Sequence, residues 1–115
     1  MAADLCRLSI TELAPLLSRR EVSPVEVTEA FLARISELDP ELNSYITVDE
    51  KGARVRAREA EARLAQGETG PLLGVPLALK DVLATQGLRT TCASRILADF
   101  VPPFDATVCT RLRQA

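Results

Sequence analysis

The stretch that most constrains the fold is residues 70–81, Gly-Pro-Leu-Leu-Gly-Val-Pro-Leu-Ala-Leu-Lys-Asp. It begins with glycine and proline turn residues, continues as an apolar run over residues 75–79, and ends abruptly at Lys80 and Asp81. The apolar run lacks period-two alternation, which predicts a β-strand covered on both faces, as in the parallel or mixed sheet of an α/β fold. Pro76 is then expected at the start of that strand or at a poorly paired edge.

Lys80 stands at the predicted end of this covered strand. Burying an unpaired charge is costly, so such a lysine is either paired or able to act as a neutral base. The chain has only two lysines, Lys51 and Lys80, against twelve arginines, which do not deprotonate. We therefore predict that the Lys80 amine is shielded from solvent and takes part in chemistry. The simpler alternative is a lysine that pairs with Asp81 or extends into solvent.

Composition sets the class of protein. With 115 residues and 47% hydrophobic content, the chain is expected to form one domain with a modest core. A net charge of −2 with intermixed signs does not favour direct nucleic-acid binding.

Three cysteines without a Cys-x-x-Cys pair support neither a disulfide framework nor a zinc site. No signal peptide or bilayer-length apolar run is found, so we predict a cytoplasmic protein without a membrane partner.

The sequence contains no histidine. This excludes Ser-His-Asp and Cys-His mechanisms within the chain, and metal sites that rely on imidazole. It also makes Cys92 a poor candidate for a thiol nucleophile. If a serine is activated here, a lysine must do it.

Start and stop signals predict four helices and two strands. Capping boxes precede the first two helices, and Gly67 closes the third. We predict helices at residues 10–18, from Pro24 after a Ser23 cap to near Asp39–Pro40, at 50–66, and after an Asp105 cap. Strands are predicted at 45–48 and 75–79.

After the predicted covered strand, Gln86 and Gly87 indicate a turn, and residues 88–94 form a polar loop of small residues. Loops of this kind commonly line sites. The elements do not complete a sheet, so the chain is expected to be a single incomplete domain over residues 1–115. Residues 1–68 would be mostly helical, and residues 69–115 would carry the strand, the loop and a last helix.

Three segments together resemble the amidase signature family. They are residues 70–81, Gly-Leu-Arg-Thr-Thr-Cys-Ala-Ser at 87–94, and Val-Pro-Pro-Phe-Asp-Ala-Thr-Val at 101–108. The resemblance extends over the whole chain but covers only the first part of the family's length. It implies an α/β fold, a mixed sheet covered by helices on both faces, of which this chain is a helix-rich N-terminal portion.

Residues 89–94 and 104–108 are most similar to one branch of that family, the glutamine-hydrolysing A subunits of tRNA-dependent amidotransferases. The resemblance implies an amidase that supplies ammonia to convert misacylated Glu-tRNA(Gln) to Gln-tRNA(Gln). It also implies B-type and C-type partner subunits, with tRNA contacted only through a partner. ATP and Mg are expected in one of these partners, and no cofactor is expected in this chain.

The family's catalytic groups form a Ser-cisSer-Lys triad, and the resemblance places Lys80 on its lysine. The serine-rich segment that supplies the other two groups has no counterpart before Ala115, and neither Ser44 nor Ser94 lies in such a context. Taken alone, the chain is therefore expected to be inactive. Its substrate-binding residues are not assigned.

Three alternatives remain open at this point. The chain could belong to an amidase acting on another carboxamide, or it could be a non-catalytic binding module that uses its two capped helices. A third possibility is a Schiff-base enzyme that uses Lys80 on a carbonyl substrate.

Overall fold

A computed structural model describes residues 5–115 of the chain. The helices within this range are α1 (Ile10–Ser18), α2 (Pro24–Leu42), α3 (Glu50–Ala65) and α4 (Thr107–Gln114). The chain divides into two compact units, Met1–Pro76 and Leu77–Ala115, which we call the helical unit and the loop unit. No helix in the described range is long and apolar enough to cross a membrane.

The first two helices begin where their capping boxes predict. At α1, the Ser9 amide donates to Glu12 Oε2 at 2.8 Å. At α2, the Glu26 amide donates to Ser23 Oγ at 3.0 Å, and the Ser23 amide donates to Glu26 Oε2 at 2.9 Å. Each cap satisfies backbone N–H groups that the first helical turn leaves unpaired.

The predicted end of α2 was wrong, because the helix continues through Pro40 to Leu42. Asn43 ends it in the left-handed conformation, with φ 52° and its N–H on the Asp39 carbonyl at 2.7 Å. The Asp39 carboxylate also accepts the Ser44 amide at 2.6 Å. A proline in the last turn is tolerated when the groups beyond it are satisfied in this way, so Asn43 outweighs Pro40 as the stop signal.

Helix α3 matches its predicted start and ends one residue early, at Ala65. Asp49 caps it by accepting the Gly52 amide at 3.1 Å. Arg54 joins α3 to α2 through two hydrogen bonds to the Glu29 carboxylate, at 2.7 and 3.1 Å. The Arg54 hydrogen bond lowers the pKa of Glu29.

Apolar side chains from these helices and from the segment after α3 form the core of the helical unit. Its buried members are Leu13, Leu17, Val27, Leu64 and Leu73. Gly74 lies against this core at φ 87°, and a Cβ there would be 2.8 Å from Pro24 Cγ. Both the backbone conformation and the contact therefore require glycine at this position.

Neither predicted strand forms. Residues 45–48 and 75–79 are irregular in the described structure, and the β pairing within residues 5–115 is an isolated bridge between Thr85 and Leu88. Instead of being covered, Leu77 and Leu79 are 47% and 37% exposed. A β-strand requires a neighbouring segment that pairs with it in a ladder of N–H and C=O groups, and neither segment takes part in such a ladder within the described residues. The mixed sheet is thus absent from the described residues.

The loop unit is held together by backbone hydrogen bonds between segments that form no strand. The Gly87 amide donates to the Pro102 carbonyl at 3.1 Å, the Thr90 amide to Phe100 at 2.9 Å, and the Ala106 amide to Ala84 at 2.7 Å. The predicted turn at Gln86 and Gly87 is confirmed, with Gly87 at φ 75°.

The prediction that Asp105 caps the last helix was wrong. Ala106 is the N-cap of α4, and it makes no side-chain cap. Asp105 instead accepts the Gln86 amide at 2.7 Å through Oδ1 and the Arg113 guanidinium at 2.6 Å through Oδ2. Its carboxylate therefore ties the turn to α4 rather than closing a helix end.

Candidate functional site

Lys80 lies in an irregular segment of the loop unit, and its side chain is exposed. The expectation of a lysine sheltered at the tip of a covered strand was therefore wrong for the described residues. The physical reason is the missing strand: without a paired neighbour on either side, residues 77–80 face solvent. Of the two predicted alternatives, the lysine that extends into solvent agrees with this geometry.

Asp81, which follows Lys80, forms hydrogen bonds with the predicted polar loop at residues 88–94. Its Oδ1 accepts the Thr91 amide at 2.8 Å, and its Oδ2 accepts the Thr91 hydroxyl in a short hydrogen bond. The Ala93 amide donates to Oδ2 at 3.3 Å, and the Cys92 amide donates to the Asp81 carbonyl at 2.9 Å. We call these four hydrogen bonds the Asp81 clasp.

The clasp holds a turn with an uncommon backbone. Cys92 and Ala93 are consecutive non-glycine residues in the left-handed region, at φ 50° and 54°. Such a conformation costs about 1–2 kcal/mol per residue, and it persists only where surrounding contacts hold it. The clasp supplies those contacts within one residue of Lys80.

Electrostatics keep the clasp's acceptor ionised. The hydrogen bond from the Thr91 hydroxyl lowers the pKa of Asp81, and the Thr91 and Ala93 amides act in the same direction. The positive charge of Arg89 lowers this pKa further. An ionised carboxylate accepts all three donors, whereas a protonated one would have to give up part of that capacity.

Buried threonine hydroxyls bind backbone carbonyls in this loop and just before it. Thr90 and Thr91 are each 5% exposed. The Thr90 hydroxyl donates to the Leu88 carbonyl at 3.1 Å, and the Thr85 hydroxyl donates to the Leu83 carbonyl at 3.0 Å. The loop therefore satisfies its own backbone through side-chain hydroxyls and, at the same time, lies bound to the residue next to Lys80.

Sequence reasoning did not find the contact between Asp81 and Thr91. The sequence suggests Asp81 only as an ion-pair partner of Lys80, whereas in the structure its carboxylate accepts N–H and O–H groups of the loop. The signal that was available is an aspartate at the end of an apolar run, followed by a loop rich in threonine and serine. Side chains of these types form hydrogen bonds with nearby backbone groups.

The side chains of the other candidates are not members of the Asp81 clasp. Ser44 belongs to the helical unit, and Ser94 uses its amide to bond the Thr91 carbonyl at 2.8 Å. Cys92 is exposed. Within the described range, no group of three or more cysteine or acidic residues is placed to hold a metal ion. A cavity of about 180 Å³ in the helical unit is lined by residues of that unit alone, among them Arg20 and Glu61.

The sequence of this chain is similar to a family model and to several curated proteins. A family model described as "Amidase" matches residues 26–115. Three curated relatives, each named as the A subunit of glutamyl-tRNA(Gln) amidotransferase, come from Azotobacter vinelandii, Methylococcus capsulatus and Geobacter metallireducens. They are 55%, 53% and 50% identical to this chain over 95%, 95% and 97% of its length.

A solved structure is also similar. It is described as "An unexpected vestigial protein complex reveals the evolutionary origins of an s-triazine catabolic enzyme". It matches 93% of this chain with a TM-score of 0.86 and 28% identity. The chain spans 24% of that structure, and 23%, 22% and 23% of the three relatives in the order given.

Proposed function

The chain belongs to the amidase family, and from this premise we propose that it is the N-terminal segment of a glutamine-hydrolysing subunit of a tRNA-dependent amidotransferase. The identity of 50–55% to three A subunits, over nearly the whole of this chain, carries the proposal. Because the chain spans less than a quarter of those relatives, the activity is assigned to the longer protein. The longer protein would release ammonia from glutamine for use on misacylated Glu-tRNA(Gln).

In this proposal Lys80 is the base of a Ser-cisSer-Lys triad. A bridging serine passes the proton of the nucleophilic serine to the lysine amine, and the nucleophile attacks the carboxamide carbon. The same relay returns the proton to the amide nitrogen, so that ammonia leaves, and water then hydrolyses the acyl-enzyme to glutamate. Both serines and the backbone donors to the oxyanion would come from the part of the longer protein outside this segment.

The same part of the longer protein would complete the mixed sheet and cover the apolar surface next to Lys80. Leu77, Leu79 and Val82 are 47%, 37% and 52% exposed in this segment. These side chains form an apolar surface against which the rest of the longer protein could pack. An apolar cover would favour the neutral amine, which is the form that accepts a proton.

The proposed setting of the enzyme follows from its place among the A subunits. B-type and C-type subunits would bind it in the cytoplasm, and ATP and Mg would be used by one of these partners. Transfer RNA would contact that partner rather than this segment. An amidase that acts on another carboxamide would instead show no preference for glutamine and no response to partner subunits.

Lysine substitution tests the proposal, because the chain offers a matched pair. In a full-length A subunit that carries residues 1–115 of this sequence, Lys80→Ala should lower glutamine hydrolysis by about 10²–10⁴-fold or more, the range for loss of a general base. Lys51→Ala is the control, because Lys51 is exposed on α3. Near-normal glutamine turnover by Lys80→Ala would contradict the proposal.

A second measurement separates loss of chemistry from loss of assembly. When ammonium salts replace glutamine, the Lys80→Ala complex should still amidate Glu-tRNA(Gln), since free ammonia makes the glutaminase step unnecessary. If the amidation is lost with ammonia as well, the substitution has damaged the complex and not the base.

A further inference from the structure

We propose that Asp81 and Thr91 act together as positioning residues, which hold Lys80 in register with the loop that follows it. The catalytic part of this inference rests on the proposed function, since it concerns where the base stands. The geometric part rests on the Asp81 clasp alone.

The clasp restrains both the backbone and the side chain of Asp81. The carboxylate accepts three donors from Thr91 and Ala93, and the Asp81 carbonyl accepts the Cys92 amide at 2.9 Å. Because contacts at both places tie Asp81 to the same turn, its backbone has little freedom to rotate. Lys80 is joined to Asp81 by one planar peptide bond, so the position of its Cα follows that of the turn.

The strained turn makes this restraint sensitive to a single contact. Cys92 and Ala93 hold left-handed φ angles that an unrestrained chain leaves readily. The Thr91 side chain links Asp81 to the turn, because its hydroxyl donates to Asp81 Oδ2 and accepts the Ala93 amide at 3.2 Å. Removing that hydroxyl therefore removes two hydrogen bonds at once and permits the turn to relax.

Thr91 also allows shape and hydrogen bonding to be separated. The residue is 5% exposed, so its size matters for packing. Thr91→Val keeps the branched shape and loses the hydroxyl, whereas Thr91→Ser loses a methyl group and keeps the hydroxyl. A packing role predicts the greater loss in Thr91→Ser, and the positioning role predicts it in Thr91→Val.

The first experiment measures kinetics in a full-length A subunit that carries this segment. Thr91→Val should lower kcat for glutamine hydrolysis by about 10- to 100-fold with little change in KM, because a small displacement of a catalytic group slows the chemical step more than it weakens binding. Thr91→Ser should retain most of the activity. Equal kcat in Thr91→Val and wild type, or a greater loss in Thr91→Ser, would overturn the inference.

The second experiment uses the 115-residue chain itself and does not depend on activity. Lysine labelled with ¹³C at Cε gives two signals in its NMR spectrum, one each from Lys51 and Lys80. Thr91→Val and Asp81→Asn should move the Lys80 signal and leave the Lys51 signal in place, and Thr91→Ser should move neither. A Lys80 signal that is unchanged in both Thr91→Val and Asp81→Asn would overturn the inference.

The two experiments separate this inference from the proposed function. Equal glutamine hydrolysis by wild type and Lys80→Ala would show that the proposed function is wrong, and the lysine spectrum would still decide the positioning role. Loss of activity in Lys80→Ala together with normal activity in Thr91→Val would leave the proposed function standing and remove the positioning role.

Discussion

The two units of the chain are stabilised by different kinds of contact. The helical unit buries leucine and valine side chains against one another, with Leu17 1% exposed and Val27 fully buried. Among the residues that the loop unit buries, three are threonines: Thr85, Thr90 and Thr91. A helix satisfies its own backbone and needs only an apolar stripe, whereas an irregular segment needs side-chain partners for its N–H and C=O groups.

Both units expose large apolar side chains, but the loop unit does so over a much shorter stretch of chain. In the loop unit many large apolar side chains face solvent, among them Leu77, Val82, Phe104 and Ile96, the last of which is 94% exposed. Few apolar contacts are therefore available to define its structure, and two aspartates, Asp81 and Asp105, take a large share of that role. Replacing apolar residues should therefore reduce stability most in the helical unit, and replacing polar residues should reduce it most in the loop unit.

The largest expected effect is in the core of the helical unit. Leu17→Ala should lower the free energy of unfolding by about 2–5 kcal/mol, because it removes buried methyl groups and leaves a cavity. Urea unfolding followed by circular dichroism measures it, with Ile10→Ala as the control, because Ile10 is 50% exposed in the same helix. Similar losses in the two variants would show that the apolar core has been misidentified.

The next effect separates backbone conformation from close packing. Gly74 and Gly67 have nearly equal φ angles, 87° and 86°, but a Cβ would meet other atoms within 4 Å at Gly74 and none at Gly67. Gly67→Ala should cost about 1–2 kcal/mol for the left-handed backbone alone. Gly74→Ala should cost about 1–3 kcal/mol more, because it is also overpacked against Pro24. Equal unfolding midpoints for the two variants would contradict the proposed contact.

A smaller effect is expected where a carboxylate holds the loop unit. Asp105→Ala removes the acceptor of the Gln86 amide, and because this hydrogen bond is exposed to water, the loss is about 0.5–1.5 kcal/mol. Hydrogen exchange at the Gln86 amide should quicken accordingly. Arg113→Ala is the matched control, because it removes only the exposed partner of the same carboxylate, and such pairs contribute up to about 1 kcal/mol. Unchanged exchange at Gln86 in Asp105→Ala would show that this amide has another acceptor.

The smallest effect concerns pH. Because hydrogen bonds from Thr91 lower the pKa of Asp81, the stabilisation is complete above the ordinary aspartate pKa of about 3.9 and is lost as pH falls below it through the lowered value. Exchange of the Thr91 and Ala93 amides, corrected for its intrinsic pH dependence, should therefore rise in this acidic range. Asp81→Asn should exchange faster at neutral pH and lose the acid dependence. An acid dependence that persists in Asp81→Asn would assign it to another group.

Much of the helical unit was predictable because its signals are local. The capping boxes at Ser9 and Ser23 and the glycine at Gly67 each act within a few residues of the backbone they satisfy. The error at Pro40 is also local, since Asn43 and Asp39 together made a stronger end than the proline.

The sequence drew attention to Lys80 and to the loop that follows it, but it did not predict the contacts that the structure shows around them. Residue type and position indicated Lys80 and the loop at residues 88–94 as candidates. The predicted burial of Lys80, however, required a strand, and a strand needs a partner that is distant in the sequence. The contact between Asp81 and Thr91 spans ten positions, and no repeat or cap signals it.

By itself, then, the sequence determined the helices, the turn at Gln86 and Gly87, and the family to which the chain belongs. Helix caps, left-handed glycines and apolar periodicity act over one or two turns. Their effect therefore depends on neighbouring residues and not on distant parts of the fold. Only the tertiary structure decided that residues 75–79 have no strand partner among the described residues, that Lys80 is exposed, and that Asp81 binds the loop. Pairing between distant segments depends on which groups meet in space, and no short stretch of sequence specifies that.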